Sequence, residues 1–120
     1  MGLGDILCDV VDRVSGARLV GVIGTDGVSI EMMMDEDYVP HDYRAAELEL
    51  AWLAATASIT ANRLGIGNVY DLTMETDDLT YLFSLITHGY YAVLGVVPES
   101  DLGGARSAIH QMADRCRVEL

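Results

Sequence analysis

Residues 46–67, AELELAWLAATASITANRLGIG, constrain this chain more than any other stretch. The run is rich in Ala and Leu, lacks proline and closes on Gly-Ile-Gly, so it reads as one long helix with a glycine stop. At about 100° per residue it carries two apolar stripes, where a surface helix needs one. Leu48, Trp52, Ala55 and Ile59 share one side, and Leu50, Leu53, Ala57, Ala61 and Leu64 share the opposite side. A chain of 120 residues is expected to form a single domain, 1–120, with one core. That core takes one stripe. The other must be covered by something else.

The flanking sequence supplies the rest of the domain. Residues 4–15 place Ile6, Leu7, Val10, Val11 and Val14 at helical spacing, ended by Ser15-Gly16. ARLVGVIG follows, apolar at both alternate positions, as expected of a central strand covered on two sides. Thr25-Asp26-Gly27 turns the chain into VSIEMMM, where Val28, Ile30 and Met32 alternate with Ser29 and Glu31. The acidic loop DEDYVPHD leads to Asp42, a candidate N-cap for the long helix. After the helix come NVYDLTME, LTYLFSLIT and YYAVLGVV, joined by links too short for anything but antiparallel neighbours. PESD then caps a last helix with the stripe Leu102, Ala105, Ile109, Met112 and Cys116. The expected fold is α+β, with a five-stranded antiparallel sheet. The long helix lies alone on one face, and the N- and C-terminal helices lie on the other. Within that arrangement no layer of the chain is left for the second stripe.

Composition removes several functions. The formal net charge is −12, and the basic residues are seven arginines with no lysine. Such a surface repels phosphate backbones and anionic lipid, which argues against nucleic-acid binding or membrane insertion. Without lysine there is no P-loop and no Schiff-base chemistry. No apolar run is long enough to span a bilayer, and the acidic N-terminus does not read as an export signal. A cytoplasmic location with reduced thiols at Cys8 and Cys116 is therefore expected.

No catalytic constellation emerges. His41 lies in a loop, His88 in a turn and His110 on the polar side of the last helix, with nothing in the spacing to gather them. The acidic clusters at 35–37 and 75–78 lack the spaced oxygens and glycine of a calcium loop. There is no G-x-S-x-G, and the Gly-x-Gly pairs lack a strand–helix context. Cys116 falls on an apolar stripe, which reads as packing. Catalytic, cofactor and metal sites are all read as none. The remaining anomaly is apolar surface left over after folding, and such surface marks interaction sites.

The order of elements and several local motifs resemble the roadblock family, the dynein light-chain-related domains that include bacterial MglB-type proteins. RLVGVIGTDGVSIE is similar to its first hairpin, and AAELELAWLAATASITANRLGIG to its long helix. DLTMETDDLTYLFSLITHGYYAVLGVV resembles its closing meander, and DLGGARSAIHQMADR its final helix. The resemblance implies a roadblock-like, profilin-like architecture in a non-catalytic protein. It also implies dimers built by pairing long helices and by joining sheets through the third strand, and binding to a Ras-like small GTPase. MglB-type dimers present a helix platform to one GTPase.

Carried onto this sequence, Val69, Asp71 and Thr73 lie along the dimer seam. Either stripe of the long helix satisfies the periodicity. The Leu48, Trp52, Ala55 and Ile59 stripe is assigned to the partner copy because it holds the large aromatic of an interface anchor. Ala51, Ala54, Ala55 and Ser58 are expected to let another helix approach closely. The polar line Glu49, Thr56, Thr60 and Arg63 is left for a further partner. Two other readings stand beside this one. The first is a profilin- or PAS-like small-molecule sensor, which predicts a closed pocket between sheet and helix; a dry core crowded by Trp52, Tyr81 and Phe83, with no cavity, would count against it. The second is a dimeric scaffold of a larger motor or signalling complex without GTPase regulation.

Overall fold

The computed structural model describes residues 2–35 and 43–120, without the side chain of Tyr43. The N-cap expected at Asp42, His41 and most of the acidic loop (36–40) lie outside the described residues.

Alternation along the strands determines the layers. In β1 (Ala17–Gly24) Leu19 and Ile23 point to one face of the sheet, and Val20 and Val22 to the other. β5 (Tyr90–Val96) repeats the pattern with Tyr91 and Val93 against Ala92, Leu94 and Val96. Both faces are therefore apolar and both must be covered. β1 and β5 sit at the centre of a five-stranded antiparallel sheet ordered β2-β1-β5-β4-β3. Its flanks are β2 (Ser29–Met34), β4 (Thr80–Thr87) and β3 (Asp71–Glu75).

One face receives α1 (Leu3–Arg13) and α3 (Leu102–Glu119). Ile6, Leu7 and Val10 of α1 meet Ala105, Ile109, Met112 and Cys116 of α3 over Val20, Val22, Leu82 and Leu94. The opposite face receives only α2 (Tyr43–Leu64), through Ala46, Leu50, Ala51 and Ala54 on Leu19, Ile23, Phe83, Tyr91 and Val93. This is the expected division of three helices between two faces.

Element ends differ slightly from expectation. α1 stops at Arg13 because Val14 takes an extended conformation (φ −97°, ψ 106°). α2 ends on a glycine motif: Gly65 has φ +69°, and the N–H groups of Gly65 and Ile66 donate to the carbonyls of Asn62 and Ala61. α3 is capped by Asp101, whose carboxylate accepts from the Gly103 N–H at 3.1 Å. The strand expected over NVYDLTME begins only at Asp71. Upstream, Gly67 takes φ +91° and the Val69 carbonyl accepts from the Tyr91 hydroxyl at 2.8 Å, so it is used outside the ladder.

Candidate partner interface

The candidate site grows from one helix whose outer side has no cover. On α2 the buried residues centre on Leu50 and Ala54, and Trp52 projects from the opposite side. Trp52 is 68% exposed, Ile59 51% and Leu48 47%. Ala55, on the same stripe, is half-buried. The stripe assigned to a partner copy is thus the one that faces away from the sheet. Full burial of one such apolar side chain is worth about 1.5–3 kcal/mol, which folding of a single chain leaves unused here.

The small residues behave differently from expectation. Ala51, placed on the pairing surface from sequence, is only 1% exposed and packs on the sheet beside Ala54. It lies one residue from Trp52, which is about 100° around the helix and turns it toward the core. Ser58 also faces inward. The Tyr91 hydroxyl spends its proton on Val69, so the Ser58 hydroxyl donates to the Tyr91 oxygen at 3.1 Å. The small side chains therefore let α2 lie close to its own sheet. Leu64, expected on the covered stripe, is exposed because it is the last helical residue.

β3 forms the rim of the sheet beside α2, and the described residues pair it only with β4. The Leu85 N–H donates to the Tyr70 carbonyl at 2.8 Å. Antiparallel pairing alternates, so residues 71, 73 and 75 turn their N–H and C=O groups to the open edge. Of the seam expected from sequence, Asp71 and Thr73 have the parity that edge-to-edge pairing needs, whereas Val69 precedes the strand and its carbonyl is taken by the Tyr91 hydroxyl. The Asp71 side chain does other work. Asp71 accepts or shares a proton with His110 Nε2 of α3 at 2.7 Å, which joins the rim to the last helix. His110 thus has a partner, although the sequence placed it on a purely wet face.

Between α2 and β3 lies an open cleft of about 400 Å³. Trp52, Leu53, Met74 and Tyr81 line it, and Glu49 sits at its lip. Tyr70, 65% exposed, continues the apolar surface along the start of β3. Sequence reasoning did not assign Leu53, Tyr70, Met74 or Tyr81 to the interface, although the alternation of Tyr70, Leu72 and Met74 puts those three on one face of the strand. Gly95 shapes the floor: a Cβ there would stand 2.8 Å from the Tyr81 ring. Burial raises the Tyr81 pKa above its ordinary value. The polar line assigned to another partner, Glu49, Thr56, Thr60 and Arg63, runs along the same side of α2 as the cleft. Thr56 is half-buried and the other three are exposed.

The core does not contain Trp52, so the crowding by Trp52, Tyr81 and Phe83 that would count against a small-molecule sensor is not complete. Phe83 is buried and Tyr81 half-buried. Leu50, Ala51, Ala54, Phe83 and Val93 fill the contact between helix and sheet. Among the described residues no group of three or more His, Cys, Asp or Glu is arranged to hold a metal ion. His88 lines a separate cleft with Thr25, Ser58 and Asn62. Among the described residues no helix is long and apolar enough to cross a membrane.

The comparisons with known proteins agree with this geometry. No protein-family sequence model and no curated protein sequence matches the chain. Solved structures do. MglC from Myxococcus xanthus superposes with a TM-score of 0.72 at 26% identity, covering 100% of each chain. A Roadblock/LC7 domain from Streptomyces avermitilis gives 0.79 at 18% identity, over 98% of this chain and 97% of that one. The chain has the roadblock fold. MglB from Myxococcus xanthus gives a TM-score of 0.85 at 14% identity, over 97% of this chain and 85% of its own. The roadblock expectation drawn from sequence motifs is thereby borne out at the level of the fold, including the single long helix on one face.

Proposed function

We propose that this roadblock-fold chain is a non-catalytic regulator that works as a homodimer and binds a Ras-like small GTPase in the cytoplasm. The observation that carries the reading is the adjacency of two unfilled surfaces. The outer side of α2, led by Trp52, lies next to the open edge of β3. A second copy related by a two-fold axis covers both at once, because a two-fold interface is made of the same patch on each subunit. The GTPase part of the reading rests on the resemblance to MglB-type domains and on the shared fold.

The chemistry of the chain supports a binding role. There is no lysine in the sequence. Burial pushes the Cys116 thiol up to about 11, which keeps it protonated and unreactive at neutral pH. His88 and His110 belong to separate surfaces.

Sedimentation equilibrium is expected to give a dimer at micromolar concentration. A Ras-like GTPase encoded beside this gene is then expected to bind the immobilised dimer differently in its GTP-analogue and GDP states. A strictly monomeric protein refutes the dimer. Equal capture in both nucleotide states refutes nucleotide-cycle regulation and favours a scaffold.

A further inference from the structure

A second cleft differs in chemistry from the apolar one beside β3. It opens where the last turns of α2 meet the loop 65–70 and the β1–β2 and β4–β5 turns, and it measures about 400 Å³. Acids and arginines make up 22% of the chain, yet none lines this cleft. Its polar groups are Thr25, Ser58, Asn62, Asn68 and His88, brought from four separate segments. Apolar surface comes from Ile59 on α2 and Leu85 on β4.

Hydrogen bonds hold these walls in place. The Thr25 N–H donates to the Gly89 carbonyl at 2.9 Å and joins the two turns. The Leu85 N–H donates to the Tyr70 carbonyl and the Tyr91 hydroxyl to the Val69 carbonyl, both at 2.8 Å, so the loop is pinned to β4 and β5. The Tyr91 bond also sets a polarity. Tyr91 spends its proton on Val69 and takes the Ser58 proton at 3.1 Å. Ser58 Oγ then has only lone pairs to offer, so a group that binds it must be a donor. The side chains of Thr25, Asn62, Asn68 and His88 make no hydrogen bond among the described residues.

The geometry points to a binding site for an uncharged nucleobase or its nucleoside. An anion meets no arginine in this cleft and faces the C-terminal, negative end of the α2 dipole. A cation meets no carboxylate there. The ligand is therefore neutral and bonds through its own donors and acceptors. Ser58 requires a donor, and Asn62 and Asn68 each present a donor beside an acceptor. A base edge carries the same mixture, with amino or ring N–H groups next to carbonyl or ring acceptors. Ile59 and Leu85 offer apolar contact to the flat faces of the ring, the combination by which pockets hold an isolated base. The volume lies within the range of small-molecule sites, about 300–1,000 Å³. The site requires neither the homodimer nor the GTPase proposed above.

Titration of the common ribonucleosides and their soluble free bases into isotope-labelled protein, followed by NMR, tests the site. At least one is expected to saturate with a Kd below about 1 mM. It is expected to move the resonances of Asn62, Asn68, His88 and Gly89 while those of α1 and α3 stay in place. The 5′-monophosphate of the same nucleoside is expected to bind roughly threefold or more weakly, because its charge finds no cation. Ser58→Ala removes the acceptor and leaves Tyr91 on Val69, and Asn62→Leu removes an exposed amide. Each is expected to weaken binding roughly tenfold with the rest of the spectrum unchanged. If no base or nucleoside moves these resonances at several millimolar, the proposal fails. Movement by ribose alone overturns the base as ligand. Affinity undiminished in both variants places the ligand elsewhere and overturns the site. None of these outcomes depends on oligomeric state, so a monomeric parent refutes the homodimer and leaves the cleft to be judged by the titration.

Discussion

Cys8 and Cys116 have the same side chain and opposite fates. Cys8 lies exposed on α1 with its thiol 3.9 Å from the Met33 sulfur, whereas Cys116 is fully buried between α3 and the sheet. A thiol reagent at pH 8 is expected to label Cys8 quickly and Cys116 only on unfolding, which a stopped-flow absorbance trace resolves into two phases. The Cys116 pKa is raised to about 11, so the unfolded chain releases this proton first as pH rises. Its contribution to stability is therefore intact below about 8.5 and lost between there and about 11. Asp9 shows the opposite sign. A hydrogen bond from Arg115 holds its carboxyl below the ordinary value, opposed by partial desolvation and reinforced by Arg13. Its contribution is present above the ordinary carboxylate pKa and lost as acid is added below about 4. Denaturant titrations from pH 5 to 2 are expected to be flatter for Asp9→Asn than for the parent. At Gly95 the constraint is steric. Gly95→Ala pushes a methyl into the Tyr81 ring, and a loss of about 1–3 kcal/mol in unfolding free energy, read from denaturant titration, is expected.

At the scale of elements, α2 and β3 carry the functional reading. Trp52→Glu places a charge at the centre of the outer stripe without touching the sheet contacts made by Leu50, Ala51 and Ala54. It is expected to weaken dimerisation by about 2 kcal/mol or more, as loss of an aromatic anchor does, while the far-UV spectrum and melting point stay near parental. Thr73→Pro addresses the other surface. The Thr73 N–H points away from β4 by the alternation set at Tyr70, so proline removes a donor only from the open edge. Sedimentation is expected to show a weaker dimer, while amide exchange on β4 stays protected. Rapid exchange across β4 would mean that the ladder itself was broken and the parity misread.

For the whole molecule, division of the apolar residues between two faces leaves apolar surface exposed on one of them. α1 and α3 together seal one face of the sheet, and α2 alone covers only part of the other. The uncovered part is the shelf of Leu72, Met74 and Tyr81 beside β3. Much of this was legible beforehand. Two-sided apolar alternation in ARLVGVIG and YYAVLGVV announced central strands, and the two stripes of α2 announced a surplus surface. The fate of Ala51 was not legible, because a helical wheel does not say where between two stripes the sheet contact is centred. The Asp71–His110 contact was not legible either, since it joins positions 39 residues apart in sequence through the packing of α3 against the sheet.

Periodicity, turn chemistry and charge in the sequence determined the order of elements, the antiparallel meander and the presence of more apolar surface than one core can bury. These are local properties, readable within a few residues of each position. The tertiary structure alone decided which stripe of α2 faces outward, that the small residues Ala51 and Ala54 serve its own sheet, and that Trp52 stands beside a cleft at the rim of β3. Those outcomes depend on where a helix settles across five strands, and that position follows from packing between residues far apart in the chain.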